Sequence, residues 1–184
     1  MLKPEPLTKA AFAPFGDVVE TDGHEPLHIN QGFALRFDNL ARIDVGTDGG
    51  QTKVSLFTAN PRPKPIMINL MERHPLGSQL FYPLQDRPWL VLVCGDPHDA
   101  STYRAFGATG RQGINYHRNI WHFPLLVFDA ERRFIVVDRV GPGNNLEEVE
   151  LETLLSIAFD AADDLFATFS EWSGAADAKA FDQL

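Results

Sequence analysis

The chain has 184 residues, with 16 basic and 25 acidic side chains and a formal net charge of −9. That length suits one domain with its own core, and the acidic balance counts against partners bound through basic side chains, namely nucleic-acid backbones and anionic membranes. The one cysteine, Cys94, excludes an intrachain disulfide and a cysteine zinc site and fits a reducing, cytoplasmic setting.

No apolar run approaches the ~18–20 residues of a transmembrane helix. Pro4, Pro6 and Pro14 interrupt the segment that a secretory leader would need. In chain order, Thr8 is placed to cap a short helix over Lys9-Ala10-Ala11-Phe12, which Pro14 and Gly16 end. Strand patterns follow at Gly32 to Leu40, Lys53 to Ala59, Ile66 to Leu70, Gln79 to Leu84 and Trp89 to Cys94. Further ones lie at Ile114 to His117, Leu125 to Asp129 and Phe134 to Asp138. Trp89 to Cys94 and Phe134 to Val137 are apolar on both faces, which predicts strands in the middle of a sheet packed on both sides. Short strands with frequent turn residues predict a mainly β barrel or sandwich.

All 13 prolines and 13 of the 14 glycines fall at or before Gly143. Beyond it, Leu151, Leu154, Leu155, Ala158, Ala162, Leu165, Phe166, Phe169 and Trp172 recur at helical spacing. This predicts an amphipathic C-terminal helix that covers the barrel or a second subunit. The expected division is a barrel over 1–150 and a helix with its tail over 151–184. Up to Asn144 there are 15 basic and 15 acidic side chains; from Asn145 on there are one lysine and ten acids, so the whole net charge of −9 belongs to the chain's end.

Six histidines are present, without a phosphate-binding glycine loop, a serine-hydrolase elbow or a His-Glu-x-x-His helix. Two segments concentrate polar residues among apolar strands: Glu72-Arg-His-Pro-Leu-Gly-Ser-Gln79 and Gly113-Ile-Asn-Tyr-His-Arg-Asn-Ile-Trp-His122. Glu72 and His74 are two apart and share a strand face. A hairpin turning at Pro75 to Gly77 brings them to Gln79, and a facing hairpin in the second segment brings His117 toward His74. Each residue has a plainer alternative: a hydrogen-bonded core histidine for His74, a salt bridge outside the barrel or across a dimer for Arg73, a solvated strand residue for Arg36. Asp138-Arg139 reads as structural.

The first segment resembles a worn cupin motif, with Glu72 and His74 at the two histidine positions and Gln79 at the glutamate position. The two segments together resemble the signatures of ureidoglycolate lyases, formerly called ureidoglycolate hydrolases. Phe15-Gly-Asp-Val18, His28-Ile-Asn30 with Gly32, Arg104-Ala-Phe106 and Asp138-Arg139 are shorter matches in the same order. Phe123 departs from the pattern, since the family often has a second histidine there. The resemblance implies a cupin-like β-barrel, a homodimer, and cleavage of ureidoglycolate to glyoxylate and urea in allantoin breakdown. It makes no cofactor certain and admits a divalent metal, nickel, at Glu72, His74, Gln79 and His117, although a glutamine carbonyl is a poor ligand for such an ion.

The chemistry needs a base for the hydroxyl proton, an acid for the departing urea and a cation for the carboxylate. Imidazoles suit the first two roles and guanidinium the third. The expected catalytic residues are His74 and His117. The expected substrate-binding residues are Asn30, Arg36, Arg73, Gln79, Tyr116, Trp121 and His122. Three other readings stay open: an amidohydrolase that releases ammonia, a metal-dependent cupin dioxygenase or isomerase, and a non-catalytic barrel that binds a small ligand.

Overall fold

A computed structural model gives the structure, which describes residues 1–157, apart from the side chains of Thr153 and Leu154. Its strands are β1 (Glu5–Pro6), β2 (Gly16–Val19), β3 (Leu27–Ile29), β4 (Ala34–Arg36), β5 (Gln51–Ala59), β6 (Ile66–Arg73) and β7 (Gln79–Pro83), with helix α1 (Lys9–Phe12) between the first two. They continue as β8 (Trp89–Cys94), β9 (Arg104–Ala108), β10 (Gly113–Tyr116), β11 (Trp121–His122), β12 (Arg132–Val140) and β13 (Glu147–Ile157). The mainly β architecture and the short N-terminal helix agree with expectation, and Thr8 Oγ1 accepts from Ala11 N at 3.2 Å as an N-cap should.

Two sheets form the body. One runs β1-β9-β8-β11-β6-β13 and the other β2-β10-β7-β12-β5; β3 and β4 make a separate small ribbon. Alternation along the strands gives each sheet its inner face. Trp89, Val91 and Val93 of β8 meet Phe81, Ile114, Phe134 and Val136 of the opposite sheet in one buried cluster. The Trp89 and Phe134 rings touch edge to face with centroids 5.0 Å apart. Leu90, Leu92 and Cys94 point the other way, into a second buried cluster with Met71 and Phe123. Strand β8 is therefore buried on both faces, as its sequence predicts. Strand β12 is not: Phe134 and Val136 are fully buried, while Ile135 and Val137 are half-buried.

Three expectations are corrected. Of Gly32 to Leu40 only Ala34–Arg36 is strand, because Asn30 and Gln31 take positive φ values of 52° and 62° and Gly32 one of 94°, and turn the chain. Leu125 to Asp129 carries only a bridge from Leu126 to Leu90. Most clearly, the expected helix does not begin at 151: Leu151 to Ile157 complete β13, which pairs with β6 across the boundary expected at 150. Glu148-Val-Glu-Leu-Glu152 alternates with period two, and the leucines that follow fit both a strand and a helix. The rest of the expected helix, 158–184, lies outside the described residues.

Candidate functional site

Both signature segments are corners that carry the chain from one sheet to the other. The first leaves β6 at Arg73 and enters β7 at Gln79; the second leaves β10 at Tyr116 and enters β11 at Trp121. Neither is a hairpin of paired strands, as the sequence suggested, yet each brings its ends together because the two sheets face one another. The corners are tied side by side: Asn119 N donates to His74 O at 2.9 Å. Positive φ at Asn119, 71°, makes the second turn.

Three ligating side chains converge at this end of the barrel. Glu72, His74 and His122 place one donor atom each within 4.8 Å of the others. Cross-strand pairing explains part of it, since His122 sits directly opposite Glu72. His122 Nε2 lies 3.4 Å from Glu72 Oε1, and His74 Nε2 lies 3.1 Å from Gln79 Oε1. Backbone carbonyls fix both imidazoles: His74 Nδ1 is 2.7 Å from Asn145 O, and His122 Nδ1 is 2.9 Å from Ile120 O. A carbonyl only accepts, so each Nδ1 carries a hydrogen and Nε2 is the ring atom turned toward the group.

His122 Nε2 is buried and lacks a hydrogen-bond partner among the described residues. An unpartnered buried imidazole nitrogen 3.4 Å from a carboxylate oxygen calls for a proton or a cation between them. This donor set fits a divalent transition metal.

The electrostatics follow the same geometry. Burial works against the ionised form of Glu72, but the adjoining His122 imidazole, then the charges of His74 and Arg62, outweigh it and hold the carboxyl below its usual range. Burial, followed by the charge of His122, lowers the pKa of His74 below its ordinary value of 6.5 and favours the neutral ring. Tyr116 is buried against His122, with ring centroids 4.1 Å apart, and burial pushes its phenol pKa up.

Beside this group opens a cavity of about 260 Å³ whose lining includes His74, Ser78, Gln79, Lys53, Asp138 and Asn145. Glu72, His74, Gln79, Tyr116 and His122 thus come together. The other expected residues do not. His117 is half-exposed and bonds Asp17 Oδ1 at 3.2 Å, because it follows β10 at the outside of the corner. Arg73 and Trp121 are the outward neighbours of Glu72 and His122; the guanidinium lies 4.4 Å over the indole and pairs with Glu147 at 2.5 Å. Asn30 and Arg36 belong to the β3–β4 ribbon, where Arg36 pairs with Asp38 at 3.0 Å. Phe123 packs in the outer apolar cluster beneath Arg62, whose Cζ is 4.5 Å from the ring.

Sequence reasoning missed Lys53 and passed over Asp138. The signal was present in the Phe134, Val136, Asp138 alternation, which puts the carboxylate on the barrel's inner face.

Two facing sheets with an imidazole–carboxylate group at one mouth make a β-barrel enzyme site equipped for proton transfer or for holding a metal. The comparisons with known proteins narrow this. Residues 1–158 match the family model described as ureidoglycolate lyase. The curated ureidoglycolate lyase of Burkholderia mallei (strain NCTC 10229) is 52% identical over 159 residues, 85% of this chain and 93% of that protein. Ureidoglycolate lyase 1 of Rhizobium meliloti (strain 1021) is 49% identical over 166 residues, covering 90% and 98%. The chain belongs to the ureidoglycolate lyase family and is an enzyme of the lyase class. A formate complex of Lactobacillus farciminis oxalate decarboxylase is similar at a TM-score of 0.38 and 16% identity, over 71% of this chain and 34% of that one. A 3,4-ketoisomerase from Helicobacter canadensis is similar at a TM-score of 0.39 and 11% identity, over 68% and 84%. No feature of the site rests on these two.

Proposed function

We propose that this protein cleaves ureidoglycolate to glyoxylate and urea in the pocket at the mouth of a cupin-like barrel, and that it works as a cytoplasmic homodimer. The observation that supports the chemistry is that His74 lines the cavity with its Nδ1 tied to Asn145 O at 2.7 Å, in a setting where burial favours the neutral ring. His74 Nε2 takes the hydroxyl proton as the carbonyl forms and the carbon–nitrogen bond breaks. It then returns that proton to the departing urea nitrogen. Both atoms sit on one carbon, so one imidazole serves both transfers. No water is consumed. His117, on the outer side of the corner, has no part in this scheme, and His122 with Glu72 lies beside His74 next to the pocket.

The convergence of Glu72, His74 and His122 favours a second reading. Glu72, His74 and His122, with Gln79 beside them, would hold a divalent metal such as nickel. A metal there would polarise a substrate oxygen as a Lewis acid. In that state His74 is a ligand and cannot carry the proton.

The deciding experiment is a product assay on (S)-ureidoglycolate with and without chelator. Urea released above the spontaneous rate in the presence of chelator supports His74 as the proton carrier. Urea only with added metal assigns His74 to the metal. Ammonia as the nitrogen product, or no reaction in either condition, overturns the lyase reading.

A further inference from the structure

The opposite wall of the pocket carries a feature that proton transfer at His74 does not use. Register aligns a polar row across the inner face of the five-stranded sheet. Lys53 of β5 pairs with Asp138 of β12, and Val137 pairs with Leu80 of β7, which sets Asp138 beside Gln79; Gln79 in turn pairs with Tyr116 of β10. Phe134 and Val136, on the same face of β12, end the apolar core just below Asp138. Lys53 Nζ lies 3.2 Å from Asp138 Oδ2. The other carboxylate oxygen, Oδ1, is buried and has no hydrogen-bond partner among the described residues, in a side chain that is only 9% exposed as a residue. Both residues line the same cavity as His74 and Gln79.

A buried carboxylate oxygen without a donor is costly, and it selects for a ligand that brings one. A nearby ammonium keeps the wall from repelling an anion. Arg139, the other cation of the lining, is already committed, since Nη2 donates to the carbonyls of Thr47 and Pro142 at 2.8 Å each. Lys53 Nζ gives one of its three hydrogens to Asp138 and keeps donors for a substrate carboxylate.

We infer that Asp138 and Lys53 are the substrate-recognition pair of this site: Asp138 Oδ1 accepts from the ureido N–H groups, and Lys53 Nζ binds the carboxylate. This rests on the reading of the pocket as the ureidoglycolate site, and it gives that site its preference for ureido acids over acids of the same shape without N–H donors.

The test compares two ligands that are not cleaved. Hydantoate has the ureido and carboxylate groups without the hydroxyl. Levulinate has the same length, carbonyl and carboxylate, with both nitrogens replaced by carbon. Calorimetry on the full chain should find hydantoate bound at least about tenfold more tightly than levulinate. Asp138→Ala should bring that ratio to within about twofold of one, and Lys53→Met should weaken both ligands by about tenfold while keeping the ratio. A general folding defect would weaken both ligands in the Asp138→Ala protein and leave the ratio intact, which would overturn the assignment. So would a wild-type protein that does not distinguish the two. Unchanged affinity in Lys53→Met would remove the lysine from the pair. Because the readout is binding, a protein that releases no urea but shows the expected ratios would overturn the lyase reading and keep this one.

Discussion

The imidazole of His122 lies flat on the phenol of Tyr116, with centroids 4.1 Å apart and ring planes 16° from parallel. Tyr116 ends β10 in one sheet and His122 ends β11 in the other, so the stack spans the barrel and sets the angle at which His122 meets Glu72. Tyr116→Phe keeps the ring and should keep urea release within about threefold of wild type. Tyr116→Leu removes the flat surface and should lower kcat by about 10- to 100-fold, in line with a misplaced active-site group. Equal rates for the two variants, measured at matched folded fraction, would detach the stack from catalysis.

The two histidines of the second corner should behave in opposite ways. His122, 2% exposed, shares the inner group, whereas His117 is held outside by Asp17. Elemental analysis after incubation with nickel should find metal retained by His117→Ala and lost from His122→Ala. Activity should fall by about 10²–10⁴-fold in His122→Ala and in His74→Ala, and by less than about tenfold in His117→Ala. Metal retention by the His122 variant would remove that residue from the ligand set.

Acid should loosen the end of β10 through Asp17, which pairs with Asn115. Its burial opposes ionisation, but hydrogen bonds from Asn115 Nδ2, the Arg42 amide and His117, and the charge of His117, outweigh that and hold the carboxyl below 3.8. A depressed carboxyl pKa stabilises the fold fully above the unfolded value and loses that contribution as pH falls through the folded one. Melting temperatures of wild type and Asp17→Asn should therefore differ by a constant amount above about pH 5 and converge below pH 3.8. A gap that persists unchanged to the most acid pH would show that the ionised carboxylate contributes nothing.

Gly50 is required by space. A Cβ there would lie 2.0 Å from Val45 O and 2.3 Å from Arg139 Nε, although its backbone φ of −64° is ordinary. Gly50→Ala must displace the loop before β5 or the guanidinium of Arg139. Overpacking of this kind costs about 1–3 kcal/mol, which should appear as a fall in Tm. An unchanged Tm would mean that the loop yields freely.

Strand β5 ends its sheet, and Val54 and Leu56 are 67% and 56% exposed on its outer face. The proposed homodimer has its natural seat there, since a long apolar edge strand left bare invites association. Light scattering should give twice the chain mass for wild type and the chain mass for a Val54→Lys, Leu56→Lys double variant. A wild-type monomer would end the dimer proposal.

Much of the site was legible because alternation and spacing fix which side chains share a face. Glu72 with His74, and Gln79 after a tight corner, need no more than that. His117 and His122 were harder. Sequence shows that they are five apart but not where the turn ends and the next strand begins, and the two-residue β11 has too little pattern to reveal its face. The cation was misplaced for another reason. Arg73 and Arg36 are close in sequence to motif residues, whereas Lys53 reaches the pocket through a register between distant strands. Likewise Glu148 to Glu152 alternates like a strand, but the leucines after it carry a helical period, and only pairing with β6 decides between them.

Glu72 and His122 form the one ladder pair between β6 and β11, and their outward neighbours Arg73 and Trp121 clasp on the far side of the same sheet. The junction is thus fastened from both faces, with the inner clasp in the candidate site and the outer one half-open to solvent. The position of a buried imidazole can therefore be adjusted from the protein's exterior. Changes at Arg73, Trp121 or Glu147 offer evolution, or an engineer, a way to retune the pocket without altering any residue inside it.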